Sequence, residues 1–529
     1  MASPTPETGD SRRSVVKSAA MITLLTFLSR ILGLIREQVR GYYLGTGTSS
    51  DAFGLAATIP NLFRRLLAEG AMTAAFIPVF TGYVKGGDRK ALSEFFSNFI
   101  TLFTFITTVV CILGMVYADF VVHTFFSSGF GDVEGKLALT ILLTRIMFPY
   151  LLLVSLAAII QAVLNSFRVF APSAFTPVLL NLCIILAAVL LQDYFPDPSY
   201  AFAAGFLAGG AAQLLFQLPW FFRLGMRVSF SANWRHPGVR ELFRIFVPGA
   251  FAAGIYQINV FVSQMIAASL YEGSIAALQY SVRLQELVLG VFVISVTTVI
   301  LPTLARQHAA GDRKGFTGTN LLALDMMALV TVPASLGLLA LRRPIIQLLF
   351  QQGEFDAHST DLTSLAVLFH SMGIYFIASS RSLNQTFYAM KDLKTPMVIA
   401  AIAMAVNIGG CYGLSVPLGH GGIALANSLS ALATSGLLFL FLHRRGVEVR
   451  FRNHVWLLLR LLISGGAMVA ALLALQNWLP PAATASKLSL AMRLLLYISA
   501  GGVVFTLGTL LIARKELLRL ILLVTRKGG

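Results

Sequence analysis

Charge is scarce in this chain. Only 12% of its 529 residues are Asp, Glu, Lys or Arg, while 57% are hydrophobic, and so small a polar complement cannot clothe a soluble globule of that length. Cysteine is scarcer still. Cys111, Cys183 and Cys411 all fall inside apolar runs without partner or metal-ligand spacing, which argues against a disulfide framework or a zinc site. There is no GxxxxGK[ST] loop to cradle nucleotide phosphates and no catalytic His or Cys cluster, so a nucleotide-driven pump and hydrolytic chemistry both drop out. Acidic residues are outnumbered, 23 against 40 basic ones, for a formal charge of +17. Such an excess would suggest nucleic acid if it gathered on one face. Here the basic residues occupy alternate loops, which speaks against a nucleic-acid partner.

What is present is apolar length. A hydrocarbon core about 30 Å thick takes roughly 20 apolar residues per helix, and about fourteen such stretches can be counted, separated by short polar connections. The sequence therefore predicts an all-α polytopic membrane protein. Its first span, 15–40, carries Arg30 and Arg36 and is too long for a signal-peptide core, so it is read as a retained helix. Other expected spans include 51–82, 137–165, 241–268 and 361–389, with Asp119 to Glu134 as a plain connection.

Lys and Arg in short loops set orientation. The tail with Arg12, Arg13 and Lys17, the connection with Lys85, Arg89 and Lys90, the run from Arg223 to Arg244, and the group Arg306, Arg313 and Lys314 all fall on one side. Neutral or acidic connections alternate with them, Arg342 and Arg343 being the local exception. Both termini are then cytoplasmic. The expected organisation is a tail over 1–14, a first six-helix lobe over 15–224, a second over 225–445, two further helices over 446–513, and a cytoplasmic segment over 514–529 whose mixed basic and apolar residues suit the surface of an anionic leaflet. A short repeat supports two lobes of like topology. Leu164-Asn165-Ser166-Phe167 followed by Thr176-Pro177 recurs as Leu383-Asn384-Gln385-Thr386-Phe387 followed by Thr395-Pro396, with 12 residues from Asn to Pro each time.

The spans hold an unusual number of charges. At mid-bilayer each costs about 2.5–3.5 kcal/mol on insertion scales, so those that persist mark a cavity or a substrate path. Arg30, Arg36, Arg64 and Arg283 outnumber the acids near them, since Glu37 and Glu69 cannot satisfy all four. If the first two helices form a hairpin turning near Gly47, Arg30 and Arg64 lie level, roughly 21–25 Å of helix below the turn at 1.5 Å per residue. Arg36 then lies nearer the outside, with Arg283 at a comparable level. Arg65 with Glu69 and Arg283 with Glu286 are spaced for neutralised pairs on one helix face. For Arg65 that structural reading is preferred, whereas the other arginines read as an uncompensated cationic cavity. Guanidinium forks bind phosphate bidentately and keep their charge when desolvated, so such a cavity suits a diphosphate. Pro60, Gly70, Pro78, Pro248, Gly249, Gly254, Gly290 and Pro302 are places where helices can kink.

These residues carry a resemblance. The runs from Ser29 to Glu37, Ser50 to Phe53 and Ile59 to Ala71 (IPNLFRRLLAEGA), then Pro172 to Asn181, Gly353 to Asp356 and Phe387 to Pro396, resemble the MurJ family of the multidrug/oligosaccharidyl-lipid/polysaccharide exporter superfamily. The resemblance implies two six-helix lobes around a central cavity, with the helices in 446–513 forming a groove for a polyprenyl tail. It also implies a function, flipping lipid II from the inner to the outer leaflet of the cytoplasmic membrane for cell wall synthesis, with other cell wall synthesis proteins as conceivable partners. The family's charged residues carry over onto Arg30, Arg36, Asp51, Arg64 and Arg283, with Arg65 and Glu69 beside them. Where family members often have an acid just before the eighth-helix arginine, this chain has Val282. No cofactor is implied. Coupling to the membrane potential or to a monovalent cation stays open, and Asn259 and Asn407 suit a cation site no better than ordinary interhelical hydrogen bonds. Two other readings stand beside the flippase: a cation-coupled drug exporter, disfavoured by the arginine excess, and a scaffold of the wall-synthesis machinery, which would need no unpaired intramembrane arginines.

Overall fold

The computed structural model describes residues 9–68, 71–447, 451–480 and 486–514, and among these there is no β-strand. Two compact units divide the chain, Met1–Phe261 and Val262–Gly529. The first contains α1 (Gly9–Leu44), α2 (Thr48–Leu67), α3 (Ala71–Gly86), α4 (Arg89–Val116), α5 (Ala118–Phe130), α6 (Lys136–Met147), α7 (Tyr150–Ser166), α8 (Ala171–Leu191), α9 (Pro198–Arg223) and most of α10 (Pro237–Ala268). The second contains the end of α10, then α11 (Ser274–Ala309), α12 (Arg313–Leu349), α13 (Ala357–Ala389), α14 (Lys394–Leu418), α15 (His420–Arg444), α16 (Phe451–Trp478) and α17 (Lys487–Ile512).

Short polar signals start many of these helices. Asp88, Asp197, Asp312 and Asp356 each sit at an N-cap and accept hydrogen bonds from the first free backbone N–H groups, at Lys90 and Ala91, Ser199, Gly315 and Ser359 respectively. That satisfies donors which have no partner inside the helix. At Asp356 the Ser359 backbone N–H holds the carboxyl below the usual carboxylate range, with the Ser359 side chain and His358 adding to the effect against partial burial. Asp392, in the turn before α14, behaves alike. Burial pushes its carboxyl up, but the hydrogen bonds of Thr395 and the Arg445 guanidinium at 2.7 Å outweigh that and bring it down.

In the first unit the core is built from phenylalanine. Phe76, Phe80, Phe95, Phe96, Phe99 and Phe103 of α3 and α4 are all fully enclosed, stacked or edge-on to one another. From the turn at Gly45–Gly47, α1 packs chiefly on α8, and α2 chiefly on α6. In the second unit α16 and α17 pack on each other and on α12, sealed by Leu457, Leu461, Leu472, Leu494 and Tyr497.

Among the described residues eleven helical stretches are long and apolar enough to cross a membrane, and the bent pair within α10 makes twelve. The sequence count of about fourteen also included the 36-residue helices α1 and α11. Several expected spans are not continuous rods. The second comprises α2 and α3, with Glu69-Gly70 between them outside the described residues; the fourth divides into α6 and α7 at Phe148-Pro149. The stretch read as a plain connection, Asp119 to Glu134, holds α5, an extra helix whose Phe125 and Phe126 meet Phe261. The α10 bend is 42° and falls between Ala250 and Ala253, flanked by Pro248, Gly249 and Gly254, residues that permit a kink.

The repeat has a structural counterpart with a shifted register. Arg168 and Lys391, at φ 61 and 59, are the two non-glycine residues with positive φ among those described. Each follows a helix closed by a long backbone bond, from the Val169 N–H to the Leu164 carbonyl and from the Asp392 N–H to the Phe387 carbonyl, both 2.9 Å. The helix after the first cap is entered five residues before Thr176, whereas Thr395 stands one residue inside α14. The matched Thr-Pro pairs therefore occupy different turns of their helices.

Candidate functional site

In the first unit a string of alternating charges crosses from α1 through α2 to α6. Arg36, with a fifth of its side chain exposed, donates to Glu37 Oε1 at 2.5 Å, and the other oxygen of Glu37 lies 3.6 Å from Arg40. Arg40, 5% exposed, donates to the Ser50 carbonyl at 2.8 Å and lies over the Phe53 ring, 5.4 Å from its centroid. The next residue, Asp51, meets the ammonium of Lys136 at 2.9 Å, both side chains almost wholly enclosed at 1% and 2% exposure. An enclosed charge survives only with a close partner. Lys136 has two favourable neighbours, the carboxylate and the face of Phe130 at 4.2 Å.

Further along, Arg30 is half-buried on α1 and has no acidic partner among the described residues. Arg64 is half-buried on α2, where its Nε donates to Asn61 Oδ1 at 2.8 Å. Arg65 points outward, 5.9 Å from the Tyr256 ring of α10. Its expected partner Glu69 lies outside the described residues.

The second unit carries Arg283, half-buried on α11, and Glu286 one turn on. Glu286 is bridged at 3.0 Å to Arg381 of α13. Val282 is 40% exposed beside them. Behind this face runs a neutral network. His370 of α13 meets Ser281 at 2.8 Å, and Gln285 donates to its carbonyl at 2.8 Å. Asn407 donates to Asn427 at 2.8 Å and accepts from Ser263 at 3.1 Å. Asn407 thus has the interhelical bonds that explain a buried amide. Asn259 is half-buried, and its side-chain oxygen has no hydrogen-bond partner among the described residues. Among the described residues no three His, Cys, Asp or Glu side chains stand where they could hold a metal ion.

Sequence reading missed several charged or titratable residues, among them Arg40, Lys136, Arg381, Asp325, His454 and Tyr375. Lys136 sits at the boundary between an expected loop and an expected span, and its partner is 85 residues away. Arg381 lies within the expected span 361–389, and its charge was the available signal. Asp325 of α12 and His454 of α16 meet at 2.7 Å, and Tyr375 of α13 meets the other ring nitrogen of His454 at 2.6 Å. This buried chain ties α16 to the unit's core.

The chain matches the family model described as lipid II flippase MurJ over residues 41–520. A probable lipid II flippase MurJ of Vibrio cholerae is 36% identical over 467 residues, covering 87% of this chain and 89% of the relative. The lipid II flippase MurJ of Burkholderia cenocepacia is 32% identical, with 87% and 89% covered. Among solved structures, a lipid II flippase MurJ in an inward closed conformation shares the fold at a TM-score of 0.79 and 24% identity, covering 94% of this chain and all of that one. An inward-facing multidrug resistance MATE family transporter of the MOP superfamily has a TM-score of 0.68 at 13% identity, with 82% and 99% covered.

Proposed function

Because the chain belongs to the lipid II flippase MurJ family, we propose that it carries lipid II, the lipid-linked peptidoglycan precursor, from the inner to the outer leaflet of the bacterial cytoplasmic membrane. It is a transporter and not an enzyme. The observation that carries this reading is the family match along 41–520, which takes in nearly every membrane helix.

Arg30, Arg36, Arg64 and Arg283 are the residues we assign to the diphosphate. Half-buried guanidinium groups suit that role, because they stay ionised and can fork onto phosphate oxygens. We assign the headgroup to the two six-helix lobes, 15–224 and 225–445, and the polyprenyl tail to the helices of 446–513. Alternating access moves the headgroup, and the likeness to MATE transporters supports that choice. Both termini face the cytoplasm, in keeping with the Lys and Arg bias of the loops. Each unit charge crossing 100 mV is worth about 2.3 kcal/mol, so the membrane potential can drive an anionic headgroup or a cationic empty carrier. A coupled monovalent cation is compatible with the same scheme.

Complementation tests the assignment. In cells depleted of their own lipid II flippase, the unsubstituted chain should restore growth, and Arg36→Ala or Arg283→Ala, expressed to the same level, should not. If those variants support growth as well as the parent, a scaffolding role replaces the transport site.

A further inference from the structure

We infer that the groove between α4 and the start of α10 holds an anionic phospholipid of the inner leaflet, its phosphate on Arg240 and Arg244 and one acyl chain against α4. Residues 226–233, between α9 and α10, form no helix. Hydrogen bonds lay them along α4 instead. The Ser229 N–H donates to Ser97 Oγ at 3.2 Å, and the Ser231 hydroxyl and the Asn233 N–H both donate to Asn98 Oδ1 at 2.7 Å. Backbone outside a helix cannot face hydrocarbon, so this level of α4 marks the polar boundary of the bilayer. Further along α4, Phe105, Val109, Ile112 and Val116 follow one another at helical spacing and are all exposed, a stripe that faces lipid tails.

At the foot of that stripe lies a pocket of about 430 Å³, lined by Leu102, Phe105 and Ile106 of α4, by Trp234, and by Arg240 and Phe243 of α10. Apolar walls with an indole and a guanidinium at one end have the polarity of a lipid at the interface, where tryptophan also settles. Arg240 stands in the first turn of α10, where the helix dipole gives a cation no support. Arg244 follows one turn on along the same side. Both are exposed, and neither has an ion-pair partner among the described residues. A soluble anion would use these arginines but leave the pocket idle, and an apolar peptide would do the reverse. An anionic phospholipid uses both, and such lipids gather at the cytoplasmic leaflet. That leaflet follows from the orientation given above; an inverted chain would change the leaflet and not the binding.

Trp234 is a built-in probe. Full-length protein in detergent, carrying Trp220→Phe, Trp456→Phe and Trp478→Phe, is titrated with phosphatidylglycerol whose brominated acyl chains quench indole fluorescence on contact. Quenching should saturate, with an affinity about tenfold higher than for brominated phosphatidylcholine. Arg240→Gln and Arg244→Gln, both at exposed positions, should each weaken it about fivefold, the effect expected of one basic residue at an anionic surface. Arg313→Gln/Lys314→Gln, which removes two charges from another connection on the same side, should leave it unchanged. sn-Glycerol 3-phosphate, a headgroup without chains, should not compete. Equal affinity for the two lipids, unchanged binding by Arg240→Gln, or an equal loss in Arg313→Gln/Lys314→Gln would overturn the inference. So would competition by glycerol phosphate, the mark of a free-anion site, or tighter binding of undecaprenyl diphosphate, the mark of a station for a polyprenyl lipid. Should the tryptophan replacements prevent folding, native mass spectra of the parent and Arg240→Gln with the same lipids make the same comparison.

Discussion

At the scale of single residues, the membrane imposes a pairing rule, and the two units obey it differently. The first settles Asp51 with a fully enclosed ion pair, whereas the second adds to its ion pairs the hydrogen-bonded chain Tyr375, His454 and Asp325 and the network around His370. Tyr375→Phe removes the hydroxyl opposite His454 and leaves a buried ring nitrogen without that partner, at a cost of about 1–3 kcal/mol. The melting temperature of the purified protein should fall accordingly, and an unchanged value would show that water takes the hydroxyl's place. Asp356→Ala removes an N-cap and should cost about 1 kcal/mol. Since the folded carboxyl titrates below its ordinary value, its contribution is complete above the unfolded value near 4 and fades as pH drops through the folded one. The melting-temperature gap between parent and Asp356→Ala should therefore be wide at neutral pH and narrow in acid.

The arginines were legible in the sequence because a charge within an apolar run is costly and therefore conspicuous. Their partners were not, since contacts such as Asp51 with Lys136, or Glu286 with Arg381, join positions 85 and 95 residues apart. Local spacing pointed instead to neighbours on one helix. It offered Arg283 to Glu286 but gave no sign of the bridge from Glu286 to Arg381 on α13.

At the scale of elements, apolar length located the helices but not their breaks. Hydropathy runs smoothly across Phe148-Pro149 and across Ala250 to Ala253, where the chain divides or bends. Close approach of helices depends on small residues in a way periodicity does not reveal. A Cβ on Gly205 of α9 would lie 2.8 Å from Ile184 Cα and Ala187 Cβ of α8, whereas one on Gly409 of α14 would meet nothing within 4 Å. Gly205→Ala should cost about 1–3 kcal/mol as the two helices are forced apart. Gly409→Ala should leave stability unchanged or slightly raised, as expected for Gly to Ala in a helix. Thermal melts of the two variants in the same detergent make the comparison, and equal values would mean that α8 and α9 are not packed so closely.

At the scale of the whole molecule, the account joins a family match along nearly the full chain to a set of half-buried arginines in both units. Orientation has its own test. In a cysteine-free background, a cysteine at Asp132 should react with a membrane-impermeant maleimide applied to intact spheroplasts, and one at Lys314 only after lysis. The reverse pattern would invert the topology. The most direct measurement is transfer itself: purified protein in liposomes with fluorescent lipid II, followed by quenching of headgroups from one side. The account predicts protein-dependent exchange of headgroups between leaflets, lost in Arg36→Ala. Vesicles whose protein binds lipid II yet exchanges it no faster than protein-free membranes would contradict it.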